Sequence, residues 1–253
     1  MVSSGRPMKI TKRILQYIGK QQKRLTERWG QLQPQVIVPK HKGTEFEVNI
    51  WALSRFVLDT LVPIVGTEPY PLDELMLMTG VCALYKPTHI FEWGTNVGKS
   101  ARVFYETVKY CRLDTVIYSI DLPEDAPHPE HPHRKRGQFV KDLDRVALKV
   151  GDGVNVATEI AATLGAAARS MFFVDGDHEY ASVSRELGVI LNMCPNAPVL
   201  IHDTFYQSSE ANYNTGPYRA IEDILEADRF KHLKTLTLNM GLPGMTLLYN
   251  TFV

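Results

Sequence analysis

From Thr88 onward the chain alternates short apolar runs with longer helix-like ones, and this alternation restricts the fold more than any other feature. The runs 88–93, 115–121, 146–150, 170–175 and 198–202 read as strands, with helices expected near 99–110, 137–143, 154–164, 180–193 and 217–227. A helix between consecutive strands carries the chain back across the sheet, so the strands run parallel and helices cover both faces. The last two runs, 233–238 and 245–249, are joined by Asn239-Met240-Gly241-Leu242-Pro243-Gly244, with no room for a crossover helix. They are expected to pair as an antiparallel hairpin. The fold class is therefore α/β, a Rossmann-like, mostly parallel seven-stranded sheet that ends in an antiparallel pair.

Ahead of the sheet, residues 8–29 place Ile10, Ile14, Leu15, Ile18, Leu25 and Trp29 among Lys, Arg and Gln, the pattern of a basic amphipathic helix. A polar linker over 31–43 follows, then a helical stretch over 48–61 expected to stop before Pro63, and another over 72–85 after Pro69 and Pro71. This divides the chain into an N-terminal helical extension, 1–70, and a main domain, 71–253. Twenty-eight basic residues balance 28 acidic ones, so no bulk attraction to nucleic acid or to a membrane surface is implied. No apolar run reaches the about 20 residues of a membrane span, and the N-terminus lacks the apolar core of a signal peptide. Cys82, Cys111 and Cys194 lack metal-ligand spacing and suit reduced thiols. Together these features imply a cytoplasmic protein whose partner is a small molecule, with its oligomeric state open, homo-oligomer included.

The segment Phe91-Glu92-Trp93-Gly94-Thr95-Asn96-Val97-Gly98-Lys99-Ser100 resembles a phosphate-binding P-loop but has three residues, not four, between Gly94 and the Gly-Lys-Ser. The shorter loop makes a smaller anion cradle, and Glu92 would repel a triphosphate. A strand ending in an acid, a tight turn and a helix start instead suit the nucleoside crevice of an open α/β sheet. Ligands in such sheets lie beyond the carboxyl ends of the strands. Those ends are acidic here: Glu92, Asp121, Asp152, Asp175 with Asp177, and Asp203.

The pattern Glu-x-Gly-x-x-x-Gly-x-Ser resembles motif I of the class I S-adenosylmethionine-dependent methyltransferases, and five parallel strands followed by a helix and a terminal antiparallel hairpin resemble the layout of the same class. The resemblance implies that Glu92 lies near the amino acid moiety of the cofactor and that Gly94, Thr95, Asn96, Gly98 and Ser100 form the turn around it. It also implies that Asp121, with Leu122 beside it, takes the ribose hydroxyls, that Asp152 and Gly153 meet the adenine, and that Asp175 borders the cofactor. Plainer readings stay open at two of these positions: Asp121 as a loop cap and Asp152 as a turn residue between Gly151 and Gly153.

Downstream, Asp175-Gly176-Asp177-His178, His202-Asp203 and Thr215-Gly216-Pro217-Tyr218-Arg219-Ala220-Ile221 resemble a narrower group, the cephalosporin hydroxylase-like and macrolide sugar O-methyltransferases. This similarity covers about residues 70–250. It implies methylation of a hydroxyl on a small molecule or glycosyl acceptor. Asp175 and His178 would be catalytic, with His178 the general base, and Asp175, His202 and Asp203 would be ligands of Mg²⁺ or another divalent metal. His202 stands where the group has Glu, and imidazole is a poor Mg²⁺ ligand, so either the metal differs or there is none. For His178, a helix-start histidine bonded to a carboxylate remains the plainer alternative. Two rival functions stand beside the transferase: a metal-dependent hydroxylase-like enzyme and a non-catalytic cofactor-binding protein of the same fold. The His- and Pro-rich segment 125–136 reads as a lid with Arg134, Lys135 and Arg136, and Tyr206, Tyr213 and Tyr218 as acceptor-pocket walls.

Overall fold

The computed structural model describes residues 48–123, 125–126, 135–205, 214–238 and 240–250. The expected basic helix over 8–29 and the linker over 31–43 lie outside them, as do residues 127–134 of the His- and Pro-rich segment, Tyr206 and Tyr213.

Seven strands form one sheet: β1 His89–Trp93, β2 Val116–Asp121, β3 Val146–Val150, β4 Ser170–Val174, β5 Val199–His202, β6 Lys234–Leu238 and β7 Met245–Tyr249. Their order is β3-β2-β1-β4-β5-β7-β6. The first five are parallel, and β7 lies antiparallel between β5 and β6. The expected parallel sheet with a terminal antiparallel pair is therefore present. Strand order reverses between β1 and β4, and a crevice opens at the carboxyl ends of strands beside such a switch.

Alternation along each strand sends side chains to two cores. One face buries Ile90, Ile117, Met171, Phe173 and Leu200 under three helices: α1 (residues 50–65), α2 (Leu72–Tyr85) and α3 (Lys99–Tyr110). The other buries Phe91, Ile120, Phe172, Val174 and Ile201 under α4 (Gly153–Ala162), α5 (Tyr180–Met193) and α6 (Gly216–Glu226). The α2 helix is buried nearly all round, as its run of apolar residues requires. From α1, Phe56, Val57, Leu61 and Val65 join the first core, so this part of the chain before residue 71 packs into the main domain. No helix among the described residues is long and apolar enough to cross a membrane.

Two expected elements differ. The stretch ahead of Pro63 does not stop there: α1 runs Ile50–Phe56, widens into a π-turn over Val57–Leu61 and continues through Val62–Val65. In that turn the Val62 N–H bonds the Val57 carbonyl, and the shifted register absorbs the missing Pro63 donor. Residues 137–143 form successive turns, not a helix. Their spacing of Phe139, Val140 and Leu143 imitates a helical face, but Gly137 sits at φ 64° and the backbone donors go elsewhere. The Gly137 N–H bonds the Asn96 carbonyl at 2.8 Å and the Phe139 N–H bonds the Val97 carbonyl at 3.0 Å. The segment buttresses the turn after β1.

Candidate active site

Sheet register assembles the site. Trp93 pairs with Ile120 on one side and Val174 on the other, and Val174 pairs with Ile201. One step further along each strand, Gly94, Asp121, Asp175 and His202 therefore stand in a row at the crevice.

The turn after β1 is built by backbone shape. Gly94, Asn96 and Gly98 have φ of 85°, 44° and 88°, a region that favours glycine and tolerates Asn. Asp121 fixes this turn: Oδ2 accepts the Asn96 N–H at 3.0 Å and Oδ1 accepts the Leu122 N–H at 2.8 Å.

Glu92 sits beneath the turn rather than on its surface. It is fully buried, paired in register with Ser119, and its two oxygens accept the hydroxyls of Ser119 and Ser100. Burial pushes its pKa up to about 7 against those bonds. Thr95 adds a hydroxyl contact to Ser119 at 2.7 Å. These residues tie β1, β2 and the start of α3 together, and Glu92 accepts hydroxyls from both sides beneath the turn.

Asp152 caps α4, accepting the Asn155 N–H at 3.0 Å, and pairs with Arg185 at 2.7 Å. Gly153 lies against the Trp93 ring, where a Cβ would come 2.3 Å from it. The plainer reading of Asp152 is a turn residue between two glycines; here it caps a helix, and Arg185 engages both of its oxygens.

Asp175 is the hub. Its Oδ2 accepts the Tyr70 hydroxyl at 2.6 Å, its Oδ1 lies 2.9 Å from His202 Nδ1, and His178 Nε2 approaches Oδ1 at 3.5 Å. Asp203, held at φ 56°, puts Oδ2 3.0 Å from His178 Nε2 and 3.2 Å from His202 Nδ1. On its far side His202 meets Glu74 of α2, Nε2 to Oε2, at 3.1 Å. Burial disfavours charge on every member, yet for Asp175 and Asp203 the His202 charge and its bonds outweigh it and lower both pKa values. Burial would likewise lower His202, but Asp175, Asp203 and Glu74 overcome it and raise its pKa well above the ordinary value. Glu74 is raised by burial, partly offset by its bond to His202.

The fold class and the Asp-His-Asp grouping both raise the question of a metal. Ligand atoms from Asp175, His202 and Asp203 do lie within 4.8 Å of one another. As a donor set they do not fit a divalent ion. His202 Nδ1 lies against Asp175 and Asp203 and Nε2 against Glu74, so an ion here would have to displace the proton shared with the carboxylates, and imidazole is a poor ligand for Mg²⁺.

His178 differs from His202 in being about one-third exposed, at the mouth of the crevice. Burial would lower its pKa, but Asp175 and Asp203 outweigh that and raise it. Its Nε2 lies 3.5 and 3.0 Å from the two carboxylates without an aligned hydrogen bond to either. Its backbone is clamped by the start of α6: Asn214 Nδ2 donates to the His178 carbonyl at 2.8 Å, and a Cβ on Gly216 would come 2.4 Å from that oxygen. Tyr218, the described one of the three expected wall tyrosines, hydrogen-bonds Glu222 at 2.8 Å.

Tyr70 and Glu74 were not among the residues expected from sequence. The one available signal was an acid in the first turn of an otherwise apolar helix, Leu72-Asp73-Glu74-Leu75.

Residues 91–204 match a family model described as a methyltransferase domain. No curated protein matches the chain in sequence. Among solved structures, the chain is similar to the O-methyltransferase TomG of Streptomyces achromogenes in complex with SAM, at 14% identity over 85% of this chain and 92% of that one, TM-score 0.52. It is also similar to the SAH-bound methyltransferase PaMTH1 of Podospora anserina, at 17% identity over 99% and 100% of the two chains, TM-score 0.51. A third similar structure is the Bacillus cereus O-methyltransferase in complex with SAH, at 14% identity over 78% and 90%, TM-score 0.50. These likenesses agree with the sheet order and the reversal at β1 and β4. The matched segment runs from β1 through Asp203 and Thr204, so this part of the chain is similar to a methyltransferase domain, and the solved structures share its fold.

Proposed function

We propose that the protein is an O-methyltransferase that uses S-adenosylmethionine to methylate a hydroxyl of a small molecule or glycosyl group. The observation that carries this reading is His178: a part-exposed imidazole at the strand ends, with Nε2 within 3.5 and 3.0 Å of the Asp175 and Asp203 carboxylates. The similar TomG and Bacillus cereus structures are named O-methyltransferases, which supports an oxygen acceptor. The balanced charge of the chain suits a small acceptor over a polyanion.

The donor set fits the cofactor. Asp121 and Asp152 offer acceptor oxygens at neighbouring strand ends for ribose hydroxyls and an adenine amino group, and the Gly94–Gly98 turn allows close approach. When bound, S-adenosylmethionine supplies a methyl group on a cationic sulfur that an oxygen nucleophile displaces. The chain's part is to align the acceptor and to receive its proton on His178, while Asp175 and Asp203 hold the imidazole ring.

Calorimetric titration with S-adenosylhomocysteine tests the reading, and absence of binding at millimolar ligand would sink it. Asp121→Ala should weaken that binding by about 10–100-fold, the loss of a hydrogen-bonded charged acceptor. Transfer of a labelled methyl group to an acceptor then separates the transferase from the hydroxylase-like and non-catalytic alternatives. The base must be neutral to act, and its pKa is raised above the ordinary 6.5. Turnover should therefore fall as pH drops through a value above 6.5, and His178→Gln should erase that limb of the pH profile.

A further inference from the structure

The mismatch between the donor set and a divalent ion has a positive reading. We propose that His202 is the resident cation of this site: its ring, fixed between Glu74, Asp175 and Asp203, holds the two strand-end carboxylates together, and no divalent metal binds there.

Asp175 and Asp203 converge on the same two imidazoles. His202 Nδ1 lies 2.9 and 3.2 Å from their oxygens, and His178 Nε2 lies 3.5 and 3.0 Å from the same two oxygens. Two ionised carboxylates this close repel unless a positive group stands between them. The N–H of His202 occupies that position. The ring cannot offer its other nitrogen instead, because Nε2 is engaged by Glu74 at 3.1 Å.

Nor is the ring free to turn away. His202 is 3% exposed, lies edge-on to the Tyr70 ring at 4.9 Å between centroids, and meets Phe173 at 6.5 Å. Tyr70 in turn donates to Asp175, which completes a closed set of partners around the carboxylate. His202 is thus a positioning residue. It sets Asp175 and Asp203, and through them His178. Only this last consequence rests on the proposed methyl transfer; metal binding is read without turnover.

The test is a titration of the full chain with Mn²⁺, followed by the magnetic resonance signal of the free ion, with and without S-adenosylhomocysteine. The wild-type protein should bind no Mn²⁺ at this site up to about 1 mM, the weak end of carboxylate cation sites, and a chelator should leave turnover unchanged. His202→Glu replaces the imidazole with a third converging carboxylate. This variant should bind Mn²⁺ at least about tenfold more tightly than wild type, melt at higher temperature when Mn²⁺ is added, and regain turnover with it. Stoichiometric Mn²⁺ binding by the wild type that Asp203→Asn abolishes would overturn the proposal. So would a folded His202→Glu that gains no Mn²⁺ binding. Should that variant fail to fold, the wild-type titration decides alone.

Discussion

Replacing His178 with Ala should slow methyl transfer by about 10²–10⁴-fold, the usual worth of a positioned general base, while binding of S-adenosylhomocysteine stays as in the wild type. The separation is expected because His178 does not touch the residues assigned to the ribose and adenine. It stands across the crevice, held by Asp175 and Asp203, while Asp121 lies at the end of β2. The backbone of His178 is fixed independently of its ring, through the Asn214 bond to its carbonyl and the close approach of Gly216. Truncating the side chain should therefore leave the fold in place, and His178→Gln keeps some of the volume as a control. Single-turnover rates with saturating cofactor measure the effect. A His178→Ala protein with wild-type rates and an unchanged pH profile would remove His178 from the mechanism.

Much of the site was legible because a parallel sheet sends its carboxyl ends to one edge. Once the strands were placed, the acids closing them had to meet, and Asp121, Asp175 and Asp203 do line the crevice. The Thr215-Gly216-Pro217 start of α6 also has a physical reason, since Gly216 lets that helix close on His178. Tyr70 and Glu74 were not legible. They reach Asp175 and His202 across 105 and 128 residues of sequence, from a segment outside the strand–helix alternation. His202 could be seen as a departure from a metal-binding pattern, but its two carboxylate-bound nitrogens follow from where α2 packs. Residues 137–143 misled for a different reason: their apolar spacing is helical, while their N–H groups serve the neighbouring turn. Periodicity reports which side chains are buried and is silent on where the backbone donors go.

Gly94→Ala should be the most damaging single methyl in the described part of the chain, costing about 3 kcal/mol or more. Two terms act together. The backbone at Gly94 has φ 85°, a conformation that penalises any side chain by about 1–2 kcal/mol. The added Cβ would also lie 2.0 Å from the carbonyl oxygen of Asp175 and 2.8 Å from its carbonyl carbon, and overpacking against a fixed partner costs about 1–3 kcal/mol. Both atoms are backbone at the ends of paired strands, so neither can swing aside. Gly98→Ala makes the comparison, because its φ is nearly the same at 88° while its closest neighbour is a Val140 methyl at 3.0 Å, which can shift. For a domain of this size 3 kcal/mol lowers the melting temperature by about 6–12 °C, and Gly98→Ala should lose clearly less. Relief of the clash must push β1 and β4 apart at the row that carries Asp175. Turnover should therefore fall even in the fraction that stays folded, since a displacement of about 1 Å in a reacting group costs on the order of 10²-fold. Thermal melts of the two variants, read beside their turnover at a temperature where both are folded, check the argument. Equal melting temperatures would mean that the approach of the β1 turn to Asp175 does not set the site.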